Sequence, residues 1–189
     1  MSDAGSLRIS GLEGLLKAQQ EKGPAPVERW DPPQCGDIGL KIRADGVWLY
    51  RESPIVRPAL VKLFAGVLRR DADGRYYLVT PVEKIEVAVD DAPFLAVEME
   101  VANSGRDQRL IFRTNVDDIV TVGPEHPLRF AIEEKTEGLK PYILVRGRLE
   151  ALLTRALNYE LIDLALEARP CGGSLGVWSG GGFFALPPT

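Results

Sequence analysis

Few residues in this sequence have the type and spacing that an enzyme active site needs. Ser179 precedes a run of glycines, but the nucleophile elbow requires glycine two positions before the serine, and Val177 occupies that position. His126 is the one histidine of the chain and would have to act as the base for Ser179. The glycines after Ser179 lead into phenylalanines instead of a helix. They therefore predict a hairpin turn, not a phosphate-binding loop.

Two pairs of adjacent carboxylates, Asp90-Asp91 and Asp117-Asp118, are the other candidates for acid–base chemistry. Such chemistry needs two carboxyl groups that face one substrate, whereas neighbouring residues in a turn point apart. Nothing in the sequence indicates that the two pairs meet to hold magnesium. One histidine and two cysteines are also too few ligands for a typical zinc site. We therefore expect no metal and no cofactor.

Composition places the chain among globular proteins of one large or two small domains. It has 189 residues, of which 45% are hydrophobic and 26% charged, and its net charge of −4 disfavours binding to duplex DNA. Cys35 and Cys171 lie far apart, which is unlike the dense pattern of a secreted disulfide framework. The N-terminus lacks a signal sequence, and the apolar stretches are too short to span a bilayer. We expect a cytoplasmic protein without a disulfide or a membrane-inserted segment.

The elements that position these residues follow from capping, periodicity and turn signals. Ser10 and Glu13 form a capping box that begins a first helix, which Gly23 ends. A proline-rich arm follows, in which Trp30 is the one large apolar anchor. Alternation of apolar residues and the turn at Asp45-Gly46 predict a hairpin over 38–50. Later segments are predicted as helices over 54–70 and 149–168, and as strands over 76–79, 82–89, 94–101, 109–113, 119–122, 128–132, 142–145, 175–178 and 183–186.

The order strand-strand-helix-strand-strand thus occurs twice. A shift of 95 residues aligns Arg51 with Arg146 before each helix, and a shift of 99 aligns Thr80 with Ser179 after it. The pattern predicts an α+β fold with two tandem repeats, each an antiparallel sheet plus one helix, preceded by the N-terminal helix. The predicted domains are an N-terminal helix and arm, a first repeat and a second repeat, over residues 1–33, 34–123 and 124–189.

Basic and aromatic residues are interleaved around the first predicted repeat helix. Such a mixture is used by surfaces that bind single-stranded nucleic acid, although an ordinary solvated helix face has the same composition. The residues concerned are Arg57, Lys62, Arg69, Arg70 and Arg75 with Trp48, Tyr50, Tyr76 and Tyr77.

Five strings in the sequence resemble a bacterial family of unknown function. They are Cys35–Ile38, Tyr77–Lys84, Val89–Phe94, Thr114–Asp117 and Gly176–Gly181. The resemblance implies a duplicated fold whose C-terminal half is similar to pleckstrin-homology-like domains. It also implies a role in signal transduction, with a protein or nucleic-acid ligand bound at the interface of the two halves, and no established activity.

The equivalent positions in the two repeats provide a candidate binding site. If the repeats pack with approximate two-fold symmetry, Arg51, Arg146, Thr80 and Ser179 can converge on an anionic or polar ligand. The family strings add Trp178 and Asn115 to this set. Alternatively, each arginine pairs with a local carboxylate, such as Glu52 or Glu150.

We therefore predict a non-enzymatic binding or regulatory protein. The alternative is a small hydrolase or transferase that uses Ser179 with His126, or the paired aspartates.

Overall fold

The strand-forming segments of the first half assemble into one sheet in the computed structural model, which describes Gly14, residues 25–168 and residues 173–188. A 3-10 turn at Val27–Arg29 precedes this sheet. The elements that follow are β1 (Gln34–Ile42), β2 (Trp48–Tyr50), β3 (Ser53–Pro54), α1 (Pro58–Ala65), β4 (Leu68–Arg70), β5 (Tyr76–Val79) and β6 (Lys84–Val89). The order across the sheet is β3-β2-β1-β6-β5-β4, with β1 and β6 parallel and every other pair antiparallel.

The second half contains a sheet of the same size and one longer helix. Its elements are β7 (Phe94–Ala102), a 3-10 turn (Gly105–Asp107), β8 (Arg109–Thr114), β9 (Ile119–Thr121), β10 (Leu128–Ile132), β11 (Leu139–Arg146), β12 (Leu149–Leu153), α2 (Arg155–Glu167), β13 (Gly176–Ser179) and β14 (Gly182–Ala185). The sheet order is β10-β11-β12-β7-β8-β9, and only β12 and β7 run parallel. Strands β13 and β14 form a separate antiparallel hairpin.

Both sheets are built from two meanders of three strands that meet at a parallel pair. In each sheet that pair joins the first and the last strand in chain order. The predicted order strand-strand-helix-strand-strand is present in both halves, as β1, β2, α1, β5, β6 and as β10, β11, α2, β13, β14, with further strands between them. The α+β class and the two repeat halves are therefore confirmed, while the similarity to pleckstrin-homology-like domains stays a prediction.

The two units divide between Asp91 and Ala92. The prediction from sequence has this division after residue 123, because strands were assigned to the two repeats in chain order. In the structure, β7 hydrogen-bonds to β12 and carries β8 and β9 with it into the second sheet. Long-range parallel pairing therefore decides the boundary.

Both repeat helices are shorter than predicted. Helix α1 begins at Pro58 and ends at Ala65, because Pro54 lies in β3 and the chain after Gly66 extends into β4. The segment before α2 is strand β12, in which Leu149, Ala151 and Leu153 alternate as buried residues. Leucines at 149, 152 and 153 also fit a helical period, so the two periodicities overlap there.

Each unit has an apolar core between its sheet and its helix. In the first unit, Trp48 on β2 lies against Phe64 on α1, with 6.1 Å between ring centroids. Leu157, Leu161 and Ala165 form the buried face of α2 in the second unit. The largest side chains with almost no exposed surface include Leu40, Ile42, Leu68, Tyr77, Leu78, Phe94, Leu110, Phe112 and Ile143.

The proline-rich arm is held by a buried arginine. Arg69 on β4 donates from Nη1 to the carbonyl oxygens of Val27 and Trp30, both at 2.6 Å, while its Nε donates to Asp71. Its side chain is 9% exposed. Trp30 itself is half-buried, and its carbonyl is the group that Arg69 binds. Gly14 is helical, and the rest of the predicted first helix lies outside the described residues.

Candidate functional site

Thr80, in the first unit, closes the turn between β5 and β6. Its hydroxyl accepts hydrogen bonds from the amides of Val82 and Glu83, at 3.3 and 3.1 Å, and donates to the Glu83 carbonyl at 3.2 Å. The residue is 2% exposed. Both the proton and the lone pairs of this hydroxyl are therefore used by the turn itself.

Ser179, in the second unit, is buried completely. Its Oγ accepts from the Leu110 amide at 2.9 Å and donates to the Val122 carbonyl at 2.8 Å. These bonds connect the end of β13 to β8 and to the residue that follows β9. A nucleophilic serine needs an accessible oxygen whose proton passes to a base. The Ser179 proton is donated to a backbone carbonyl, so the geometry gives no support to a nucleophilic role.

His126 is engaged at a different backbone group. Its Nδ1 lies 2.9 Å from the Leu144 carbonyl oxygen, so Nδ1 carries the proton and donates. The imidazole thereby ties the turn before β10 to strand β11. These contacts do not support the alternative prediction, in which Ser179 and His126 act together in a hydrolase or transferase.

Asn115 acts as a strand-pairing residue. Its side-chain Oδ1 accepts from the backbone amide of Leu95 at 3.0 Å, and its backbone amide donates to the Leu95 carbonyl at 2.9 Å. The side chain thus extends the pairing of β7 and β8 beyond the last residue of β8. Its polar oxygen is occupied by the fold.

The adjacent carboxylates Asp117 and Asp118 point to different arginines. Asp117 pairs with Arg113 at 2.8 Å, whereas Asp118 pairs with Arg146. The Thr114 hydroxyl accepts from the Asp118 amide at 3.1 Å and fixes this turn. Separation of the two carboxylates agrees with the prediction that neighbours in a turn diverge, and it disfavours an acid–base pair.

A cross-strand ion pair lies beside this turn. Arg113 on β8 binds Glu98 on β7, with 2.8 Å from Nε to Oε2. The hydrogen bonds that Arg113 donates hold the pKa of Glu98 below its ordinary value, and the acceptance of these bonds by Glu98 and Asp117 raises the pKa of Arg113. Because Glu98 is exposed, the pair contributes little to stability.

The two equivalent arginines differ in their surroundings. Arg146 is the last residue of β11, and its guanidinium pairs with Asp118 and lies 5.0 Å from the centroid of the Phe94 ring. Arg51, at the turn after β2, has a φ of 48° and lies 5.3 Å from the ring centroid of Tyr50.

The expected local carboxylate for Arg146, Glu150, instead binds Arg129 at 2.8 Å. Arg51 and Thr80 belong to the first unit and the other four predicted residues to the second. Convergence of all six on one ligand stays a prediction.

Trp178 is the aromatic residue among the predicted site residues, and it is half-buried. It pairs across the β13–β14 hairpin with Phe183, with ring centroids 5.2 Å apart and planes inclined by 55°. The guanidinium of Arg106 lies 5.3 Å from the Trp178 ring. Both aromatic residues are half-buried, and Arg106 is exposed. We call these three residues the Trp178 platform.

The platform stands on a hairpin that is fixed in position. The Gln108 side chain donates from Nε2 to the Trp178 carbonyl at 2.9 Å, and the Gly180 amide donates to the Gln108 carbonyl at 3.1 Å. Gly180 has a φ of 57°, and a Cβ there would lie 2.8 Å from the Val122 carbonyl oxygen. Glycine is therefore required at this position for both conformation and space.

Sequence reasoning named Trp178 but missed its two neighbours. The closing hairpin predicted around the glycines makes Phe183 a cross-strand partner, so this contact could have been found. Arg106 lies in a 3-10 turn more than 70 positions before Trp178, and no local signal connects the two.

The predicted nucleic-acid surface of the first unit is not assembled. Trp48 and Tyr77 are core residues, and Arg69 is buried in its contacts with Asp71 and the arm. Lys84 also binds Asp71, at 2.9 Å, and lies 4.5 Å from the Tyr77 ring centroid. The surface thus loses two of the four aromatic rings on which bases could stack, while Tyr50 and Tyr76 are half-buried.

Metal-binding clusters and membrane-spanning helices are both absent from the described residues. Within that part of the chain, no three His, Cys, Asp or Glu side chains are placed so that they could hold a metal ion. Neither α1 nor α2 combines the length and apolar character that a membrane crossing requires. Cys35 is a free thiol, and Cys171 lies outside the described residues.

Comparisons with known proteins point to one family. The profile of the DUF1285 N-terminal domain, a domain of unknown function, matches residues 25–92, and that of the C-terminal domain of the same family matches residues 93–186. Their junction coincides within one residue with the division between the two units. No curated protein matches the chain.

Two crystal structures resemble the chain. A DUF1285 family protein from Silicibacter pomeroyi DSS-3 is 47% identical, with a TM-score of 0.82 over 90% of this chain and 93% of that one. A DUF1285 family protein from Shewanella baltica OS155 is 28% identical, with a TM-score of 0.52 over 66% of this chain and 91% of that one. The two matched domains in their expected order, together with this identity, show that the chain belongs to the DUF1285 family.

Proposed function

We propose that this protein is a non-enzymatic binding protein that recognises a partner protein through the Trp178 platform. The observation that carries the proposal is the half-buried Trp178 ring beside the exposed Arg106 on a hairpin that is hydrogen-bonded to its unit. Tryptophan and arginine are the residues most enriched among those that dominate protein–protein binding energy. Because the hairpin is already hydrogen-bonded to its unit, little conformational entropy is lost when a partner covers it.

The remaining predicted site residues support a binding role over a catalytic one. The hydroxyls of Thr80 and Ser179 and the amide of Asn115 serve the backbone. Asp117 and Asp118 are held by separate arginines. The side chains that could activate a substrate are thus engaged in the fold, which leaves recognition as the function that the accessible groups can perform.

A protein is favoured over a nucleic acid as the ligand. The chain carries a net charge of −4, and two of the four aromatic residues that could have stacked bases in the first unit are core residues. We further propose that the protein acts in the cytoplasm in signal transduction, as the family resemblance and the sparse cysteines suggest.

The test compares capture of partners by the full chain and by two single variants. Trp178→Ala removes the platform, and Tyr76→Ala is the matched control, since Tyr76 is also half-buried and has an arginine 5.3 Å from its ring. We expect a partner that is recovered with the wild type and with Tyr76→Ala but lost with Trp178→Ala. With that partner purified, Trp178→Ala should weaken binding at least tenfold, as expected for a hot-spot residue.

Arg106→Ala provides a second variant that does not depend on the integrity of the hairpin core, because Arg106 is exposed. It should weaken binding by a smaller factor while leaving the melting temperature unchanged. Equal recovery of every partner with Trp178→Ala and with the wild type would exclude the platform as the binding site.

A further inference from the structure

Helix α2 has apolar residues on two opposite faces, and only one of these faces is buried. Leu157, Leu161 and Ala165 form the buried face. On the other side, Tyr159 and Leu166 are 54% and 61% exposed, and Ile162 lies between them as a half-buried residue. We call Tyr159, Ile162 and Leu166 the outer stripe of α2.

The spacing of the outer stripe is that of a helix interface. Its members occupy positions i, i+3 and i+7, which lie along one line of a helix and span about 10 Å at 1.5 Å per residue. A surface helix needs one apolar face to pack on its unit. The exposed residues of the second apolar face lie opposite this packing surface, and their spacing has the pattern of anchors that receive another helix.

The charges beside the outer stripe determine what kind of helix can pack against it. Three exposed carboxylates flank the stripe, and none of them has an ion-pair or hydrogen-bond partner in the described part of the chain; they are Glu160, Asp163 and Glu167. The last turn of α2 contains no basic residue, so the negative end of the helix dipole adds to their field. The C-terminal half of the stripe is consequently both apolar and electronegative.

The single base on α2 does not neutralise this region. Arg155, in the first turn, donates to the Tyr159 hydroxyl from Nε and Nη2, at 3.2 and 3.1 Å. Its guanidinium thus lies at the N-terminal end of the stripe, and the described residues of α2 provide no base at the acidic end. A second copy of α2 would bring three further carboxylates against the first three, which disfavours self-association.

We propose that the outer stripe of α2 is a docking surface for a basic amphipathic helix of a partner protein. The apolar side of that helix covers Tyr159, Ile162 and Leu166, and its lysines or arginines pair with the three carboxylates. This surface is separate from the Trp178 platform in the residues it uses, so the two proposals stand independently.

The probe is a fluorescent synthetic peptide of leucine and lysine, arranged so that its leucines form one helical stripe. A peptide of the same composition in scrambled order and one with glutamate in place of lysine are the controls for shape and charge. We expect the full chain to bind the first peptide and to bind both controls at least tenfold more weakly. Raising the salt concentration from about 50 mM to about 500 mM should weaken the first interaction, because exposed ion pairs are screened.

Variants assign the binding to the stripe. Leu166→Ser should weaken binding at least tenfold, because it removes the most exposed apolar anchor. Ile119→Ser is the matched control, since Ile119 is 69% exposed on β9 of the same unit and lies outside the stripe. Replacing the three carboxylates by their amides should weaken binding and remove most of its salt dependence. All these positions are exposed, and melting curves verify that each variant is folded.

Three results would overturn the proposal. The first is no binding of the leucine-lysine peptide, and the second is equal binding of the scrambled peptide. The third is a wild-type affinity for Leu166→Ser. Sedimentation velocity separates a further occupant: a concentration-dependent dimer that Leu166→Ser abolishes would assign the stripe to a second copy of this chain and not to a basic helix.

Discussion

Replacement of Arg69 by methionine tests how the arm is attached to the first unit. The side chain is 9% exposed and forms two hydrogen bonds to arm carbonyls and two to the Asp71 carboxylate. Methionine keeps the approximate length and apolar stem of arginine, so the packing changes less than the polar contacts. The carbonyls of Val27 and Trp30 lose their charged donor, while Asp71 keeps Lys84 at 2.9 Å.

The expected loss is substantial. Removing one partner of a buried charged pair costs about 3–5 kcal/mol, and each hydrogen bond to a charged group contributes about 1.5–3 kcal/mol. Because Lys84 still compensates Asp71, we take the lower end, about 3 kcal/mol. For a chain of this size, that free energy lowers the melting temperature by roughly 6–12 °C.

The assay combines thermal unfolding with amide hydrogen exchange of residues 25–33. Arg70→Met is the matched control, since Arg70 is the next residue, donates to Gly74 at 3.2 Å and stacks on Tyr76 at the more exposed side of β4. It should cost less than about 1 kcal/mol, as surface contacts do. If Arg69→Met were no more destabilising than Arg70→Met, or if the arm amides exchanged as in the wild type, Arg69 would not be the anchor.

Three further perturbations test the geometry of individual residues. Burial raises the pKa of Asp71, but hydrogen bonds from Arg69 and Lys84 outweigh it, so the pKa lies below the ordinary value. The contribution of Asp71 to the unfolding free energy should therefore be complete above about pH 4 and be lost as the pH falls further. Denaturant unfolding measures this pH dependence, and Asp71→Asn should remove it. Gly180→Ala should lower the unfolding free energy by about 2–3 kcal/mol, and by more than the same change at Gly181, where a Cβ meets nothing within 4 Å. Ser179→Ala should cost about 1–3 kcal/mol, because it leaves a buried amide and a buried carbonyl unpaired; an unchanged free energy of unfolding would contradict the structural role.

Local signals in the sequence were sufficient where a local cause determines the structure. The Asp45-Gly46 turn forms with a φ of 81° at Gly46, and the closing hairpin forms around the glycines after Ser179. The prediction of a helix in the segment before α2 was wrong. Its leucines fit both a helix and a strand, and only the pairing of β12 with β7 selects the strand. The buried contacts of Arg69 were not predicted, and a solvated helix face was one interpretation of its cluster. Its partners lie 39 and 42 positions away, and no local pattern indicates them.

The predicted equivalence of Thr80 and Ser179 shows what repeat alignment can and cannot predict. Thr80 directly follows β5 and Ser179 is the last residue of β13, so each hydroxyl lies at a hairpin turn after the helix, as the alignment predicted. Thr80 binds within its own turn, whereas Ser179 binds residues 69 and 57 positions earlier in the chain. Aligned positions therefore share a place in the topology without sharing a contact.

The difference in contacts follows from how each hairpin is attached. The hairpin of β5 and β6 is part of the first sheet through the parallel pairing of β6 with β1, so its turn needs only local bonds. The hairpin of β13 and β14 forms its own two-stranded sheet, so Ser179, Gly180 and Gln108 must attach it instead. Among the described residues, the strands of this hairpin pair with no other strand. Trp178 and Phe183 lie on that hairpin, so the position of the platform that we propose as the binding site depends on these anchors.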